Sequence, residues 1–287
     1  MRNYDKYLTG YYNALYQDDS DWNTIVSEAL ITFGGKAYPK FGQIVIVAGG
    51  SGSGKGFVID NLFGISGKRY DVDYLKNEVK KNKEIRKRLS EKYNVDEKIF
   101  DMTTSQDVSK VHELMKISGL KQQYENNIFT MARNAPEDKK PNLIFDKTCN
   151  SLLAILSIVN ICIEHGYKPE NIHLVWVLND IHTAVQQNSE RERRVDETLL
   201  KSIHREVAHT MKGFIENFDD WLVNLNGDIY VCFNKRDVDT KSKKLNNGFY
   251  IEDANYIKIK SAGDKTINIP NDTLEKIREY TPDGTWS

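Results

Sequence analysis

The segment Gly49-Gly50-Ser51-Gly52-Ser53-Gly54-Lys55 has the G-x-x-x-x-G-K frame of a phosphate-binding loop. Glycines let such a loop turn its backbone N–H groups inward around phosphate oxygens at a helix N-terminus, where the lysine meets the β- and γ-phosphates. Gln43 to Ala48 before it is a short β-branched run suited to a strand buried on both faces, and a helical pattern follows from Phe57 to Phe63. The spacing predicts a bound nucleotide, with Gly50, Ser51, Gly52, Ser53, Gly54, Lys55, Gly56 and Phe57 as its contacts. Gly56 stands where Ser or Thr would place a hydroxyl on Mg²⁺. A magnesium ion would then be held through water, with Asp146 or Asp71 as the outer partner and Ser51 and Ser53 behind them.

Acids follow at two further places. Lys68 to Asp73 reads as a second strand that ends in Asp71 and Asp73, and Lys76 comes three residues later. Strand ends in a doubly wound sheet face the ligand crevice, so these acids are site candidates. Asp is also a favoured helix N-cap, and Asp73 capping the next helix is the competing reading. Asn142 to Phe145 is another apolar strand, with Asp146 at its carboxyl end as a carboxylate for Mg²⁺-bound water or, alternatively, as a cap before Leu152. Arg191, Arg193 and Arg194 form a cationic run in which Arg191 and Arg194 share a helix face; Glu190 and Glu192 could pair with them on a solvated surface.

The order of these features resembles that of zeta-toxin-like kinases and polynucleotide 5′-kinases over about Gln43 to His209. Asp71-Val72-Asp73-Tyr74-Leu75-Lys76 is similar to their strand-to-helix segment. The resemblance implies that Asp73 accepts the proton of the attacking hydroxyl and that Lys76 stands where arginine is usual. It further implies substrate contacts for Asp71, Lys76, Asp146 and Thr148, with Lys147 in place of a glycine. The arginine run would be a lid, with Arg191 and Arg194 acting on the transferring phosphoryl group and Arg193 on the nucleotide. The Ser-Gly-Lys-Gly wording also resembles the phosphate loop of adenylate kinases. Gly166 to His173 resembles P-loop kinases encoded by large bacteriophages, which implies a host cytoplasmic setting. The implied activity is transfer of the ATP γ-phosphoryl group, with Mg²⁺, to a hydroxyl on a nucleic acid or nucleotide-type acceptor, 5-hydroxymethyl pyrimidines in phage DNA included. Nucleotide-sugar phosphorylation, as in zeta-toxin-like kinases, and a non-kinase P-loop ATPase acting as a regulatory or partner-binding module are the alternatives.

Positioning these groups requires an α/β fold: a mostly parallel sheet flanked by helices, with a helical N-terminal extension and a C-terminal β-hairpin appendage. Residues 1–40 read as the extension, 41–235 as the P-loop core with its lid around 186–205, and 236–287 as a hairpin and helix packed on it. His173 to Leu178 and Asp228 to Phe233 supply further parallel strands, and the alternating segments Phe249–Ile251 and Tyr256–Ile259 suggest the hairpin. Trp22, Trp176 and Trp221 are expected in the core.

Lys and Arg number 40 against 41 Asp and Glu, so only a local patch could bind polyanions. The run from Lys76 to Lys92 is that patch: a channel for a polynucleotide, or a solvated helix face. Three widely spaced cysteines fit neither a disulfide framework nor a cysteine zinc site, and the scattered histidines, His204 among them, predict no metal site. The first residues lack an apolar signal core, and no apolar run is long enough to cross a membrane. Cytoplasm is the expected compartment.

Overall fold

The computed structural model describes residues 31–36, 38–190, 195–218, 224–245, 248–282 and 284–286. The expected N-terminal helix, Trp22, Trp221 and the arginines Arg191, Arg193 and Arg194 lie outside them.

Among the described residues the chain alternates strands and helices: β1 (Ile44–Ala48), α1 (Lys55–Asn61), β2 (Lys68–Asp71), α2 (Val72–Lys81), α3 (Lys83–Tyr93), α4 (Ser105–Ile117), α5 (Leu120–Asn134), β3 (Leu143–Asp146), α6 (Leu152–Glu164), β4 (Ile172–Leu178), α7 (Ile181–Ser189), α8 (Glu197–Glu216), β5 (Ile229–Phe233), β6 (Thr240–Leu245), β7 (Gly248–Lys260) and α9 (Asn271–Tyr280). The sheet order is β2-β3-β1-β4-β5-β7-β6. The first five strands in that order are parallel, and the last two pairings are antiparallel. This is the predicted mostly parallel α/β sheet with a hairpin at one edge. Chain order reverses across β1, which creates a crevice beyond its carboxyl end.

Alternation along the strands divides two apolar clusters. Ile44, Ile46, Ala48, Phe145 and Trp176 face α5, α6, α8 and α9. Val45, Val47, Ile144 and Val175 face α1 together with Ile31 and Phe33. Period-two geometry therefore fixes which sheet face each site residue occupies. The helices α2 to α4 carry a third cluster, including Val79, Leu89, Phe100, Val111 and Met115. The expected burial of Trp176 is observed.

Two expectations are corrected. β2 ends at Asp71, and Asp73 lies in the first turn of α2, because the Asp71 side chain accepts the Asp73 N–H and starts the helix. The alternating segments at 249–251 and 256–259 belong to one strand, β7, whose hairpin partner is β6. The polar stretch Glu252-Asp253-Ala254-Asn255 reads as a turn, but the ladder continues through it with a register shift at Lys241/Ser242. Within the basic run, Lys76 and Arg86 pair with Asp73 and Asp101, while Lys81 and Lys87 pair with Glu78 and Glu91 on exposed helix faces.

Candidate active site

The phosphate loop joins β1 to α1, and its carbonyls are held by side chains from four elements or their ends. Lys55 Nζ donates to Gly49 O at 2.7 Å and Gly50 O at 3.2 Å. His204 of α8 reaches Ser51 O at 2.7 Å. Asn179 after β4 donates to Gly52 O at 3.2 Å, and Asn234 after β5 donates to Ser53 O at 3.1 Å. Because each peptide is planar, drawing a carbonyl outward sends the N–H of the next residue the opposite way. The Gly52 and Gly54 N–H groups are thus turned away from these side chains at the start of α1, where an anion is stabilised, while the Ser53 N–H donates to Gly50 O at 3.2 Å.

The same neighbours explain the glycines. A side chain at Gly50 would run into the His204 ring, and one at Gly54 would run into Asn234. Gly54 also has φ 86°, a left-handed conformation unfavourable for other residues. Gly49 N–H donates to Thr148 O at 3.2 Å, so Thr148 touches the loop through its backbone. Phe57, expected among the nucleotide contacts, packs its ring against the α1-side cluster; its apolar bulk is better buried there than beside phosphates.

Asp71 and Asp146 are register partners at the ends of β2 and β3, and Asp146 is also opposite Val47 at the end of β1. Both project on the α1 side, and Arg69 on the same face joins them. Its Nη2 bonds Asp146 Oδ2 and stands 3.7 Å from Asp71 Oδ2, while Nη1 is 3.3 Å from Asp60 of α1. Burial disfavours the guanidinium charge, but Asp146, Asp71 and Asp60 together more than offset this and raise the Arg69 pKa. Burial, aided by the charge of Asp146, also raises the Asp71 carboxyl. A side chain at Gly56 would meet Arg69 Nη2 at 3.5 Å.

These residues do not fit a magnesium ion held directly by loop and strand. Gly56 supplies no hydroxyl, and Asp146, the expected water-mediated ligand, is committed to Arg69. No group of three or more His, Cys, Asp or Glu side chains spaced for a metal occurs among the described residues.

Asp73 exposes much of its side chain, and Lys76 Nζ donates to its Oδ1 at 2.9 Å. Lys76 is itself buried, and its ammonium holds Asp73. The cap role open for Asp73 belongs to Asp71. For the arginine run, the structure describes the flanks: Asn188 at the end of α7 makes two hydrogen bonds to the Val195 backbone, 2.6 and 2.9 Å, and pins the two sides of the segment together.

Arg69, Asn179, His204 and Asn234 were not expected at the site. Asn179 and Asn234 follow buried strands at their carboxyl ends, a position that signals ligand-side residues. Arg69 shares the alternation of Asp71. Nothing in the local sequence marks His204.

No protein-family model and no curated protein matches the chain. Among solved structures, the chain is similar to the AvrRxo1-ORF1:ORF2 complex crystallised with ATP, at 14% identity and a TM-score of 0.48, over 85% of this chain and 65% of that one. It is also similar to a chain of the PezAT chromosomal toxin–antitoxin system of Streptococcus pneumoniae, at 12% identity and a TM-score of 0.36, over 75% of this chain and 78% of that one. This chain therefore spans just under two thirds of the length of the AvrRxo1 chain it matches.

Proposed function

We propose that the protein is an ATP-dependent phosphotransferase that moves the γ-phosphoryl group to a hydroxyl on a nucleotide or nucleic-acid acceptor, hydroxymethylated pyrimidines among them. One observation carries this reading: the phosphate loop, with its carbonyls held by side chains, lies at the sheet's reversal point beside a strand-end acid cluster that Arg69 ties to Asp60 of α1. A binding module needs the loop alone. Acids at neighbouring strand ends lie where a second substrate meets such a sheet, and Asp73 follows directly on the last of them.

In this reading the loop N–H groups and Lys55 hold the triphosphate. Asp73, oriented by Lys76, accepts the proton of the acceptor hydroxyl as that oxygen attacks the γ-phosphorus in line. Arg69 keeps Asp71 and Asp146 neutralised, so that two carboxylates beside the loop do not repel the nucleotide. Arg191, Arg193 and Arg194 would supply charge from the segment between α7 and α8.

The test is transfer from γ-labelled ATP to a panel of nucleosides, nucleotides, nucleotide sugars, RNA ends and DNA with normal or hydroxymethylated bases. Asp73→Asn is expected to lower transfer by about 100-fold or more while ATP affinity holds. Full activity in that variant refutes the assignment of Asp73. ATP hydrolysis that no acceptor captures would favour the partner-binding ATPase.

A further inference from the structure

Asn234 leaves the end of β5, where its backbone N–H continues the ladder to Leu178 O at 2.8 Å. Its side chain is held on both sides. Nδ2 donates to Ser53 O of the phosphate loop at 3.1 Å, and Oδ1 accepts from Oγ1 of Thr240, the first residue of β6, at 3.1 Å. Asn234 and Thr240 are both buried. The Ser53 carbonyl can pair only with Nδ2, so Oδ1 is left facing away from water, and the Thr240 hydroxyl satisfies it. Asn179, which holds the neighbouring Gly52 carbonyl, has no such partner for its own buried Oδ1 among the described residues.

The residue before Thr240 fixes the segment in place. Asp239 is 1% exposed, and its carboxylate accepts the Lys235 N–H at 3.1 Å, Asn255 Nδ2 of β7 at 3.2 Å and the Tyr280 hydroxyl of α9 at 2.7 Å, with Lys276 Nζ of α9 as a further donor. The Asp239 and Thr240 N–H groups return to Lys235 O at 2.8 and 3.3 Å. One buried carboxylate, paired with a cation and fully hydrogen-bonded, therefore ties α9 and β7 to the residues that immediately follow Asn234 and precede Thr240.

We propose that Thr240, with Asp239, Lys276 and Tyr280 behind it, positions the phosphate loop for ATP by holding Asn234 against Ser53 O, so that the C-terminal hairpin and helix serve the nucleotide site. This rests on the reading of the loop as the ATP site and deepens it. The Ser53 carbonyl and the Gly54 N–H belong to one planar peptide, and slack in Asn234 lets that peptide rotate and turn the N–H off the phosphates. Thr240 acts through Asn234, and its loss should weaken ATP without touching the acceptor.

The test is a calorimetric double-mutant cycle: ATP titrated into the full chain as wild type, Thr240→Val, Asn234→Ala and the double variant. Thr240→Val keeps the shape and removes the hydroxyl, and should weaken ATP by about fivefold. Thr240→Ser, which keeps the donor, should recover most of the affinity. In the Asn234→Ala background Thr240→Val should cost nothing further, because the group it acts on is gone. Losses that multiply would show general loosening and overturn the relay, as would unchanged affinity in Thr240→Val. Tyr280→Phe removes one donor to Asp239 and should weaken ATP by a smaller factor. Should Thr240→Val fail to fold, Tyr280→Phe carries the same cycle: a loss that Asn234→Ala erases supports the relay, and unchanged or multiplying losses overturn it. Where transfer is measured, KM for ATP should rise in Thr240→Val while KM for the acceptor stays at the wild-type value, and an equal rise in both overturns the relay. A wild type that binds no ATP removes the nucleotide reading and the relay with it. One that binds ATP but transfers phosphate to no acceptor removes only the phosphotransferase, and the binding cycle still decides the relay.

Discussion

His204 holds the phosphate loop from a helix that begins just beyond the arginine run. Burial keeps its pKa below the ordinary histidine value, so the ring is neutral near pH 7, with Nε2–H donating to Ser51 O. His204→Ala removes that donor and opens space against Gly50, allowing the Ser51 peptide to rotate. One lost buried hydrogen bond is worth about 1 kcal/mol, so ATP affinity should fall by roughly fivefold, and titration of ATP into the variant checks it. His204→Gln, which can still donate, should recover part of the affinity; equal weakening of both variants would assign the effect to packing. The loop itself was legible, because its glycine frame is contiguous in sequence. His204 was not, since its partner is 153 positions away and the pairing exists only once α8 has packed.

At the scale of elements, the junction of β2 and α2 decides where Asp73 points. Asp71 has two tasks there: it caps α2 through the Asp73 N–H at 2.8 Å, and it faces Arg69. The two separate by substitution. Asp71→Asn keeps a good cap and loses the charge, whereas Asp71→Ala loses both, at a cost of about 1 kcal/mol for the cap. Thermal melts should therefore place Asp71→Asn near the wild type and Asp71→Ala several degrees lower, and phosphotransfer should fall more in the alanine variant because Asp73 sits in the released turn. Equal melting temperatures would remove the cap argument. The parallel strands were legible from their apolar runs, but the end of β2 and the continuity of β7 were not. A strand's end is set by which side chain captures which backbone group. At β2 that is Asp71; within β7, Asn255 is held to Asp239 by a backbone bond of 2.9 Å and a side-chain bond of 3.2 Å, which keeps the strand continuous through its polar stretch.

For the whole molecule, one buried polar chain ties distant segments together at the end of the sheet opposite the loop. Gly34 N–H donates to Asp228 Oδ2 at 2.6 Å, Asp228 N–H donates to His173 Nδ1 at 2.8 Å, and His173 Nε2 reaches Gln43 Oε1 at 2.8 Å. Lys258 of β7 adds an ion pair to Asp228 at 3.2 Å. Burial lowers the His173 pKa more than Asp228 raises it. For Asp228, burial acts upward, but the His173 ring, the Gly34 N–H and Lys258 hold the carboxyl well below its usual range. Above about pH 6.5, His173 is neutral in both folded and unfolded chains and contributes no pH dependence. As pH falls below that value the unfolded chain takes up a proton that the folded chain refuses, and stability declines by at most about 1.4 kcal/mol per pH unit for this one group. Below about pH 4 the unfolded Asp228 carboxyl also protonates while the folded one stays ionised, so a second decline joins the first. Denaturant melts between pH 8 and pH 3 should show both steps. His173→Gln should flatten the step near pH 6 and leave the lower one, while a wild-type curve flat from pH 7 to pH 5 would show that His173 accepts its proton without loss of the fold.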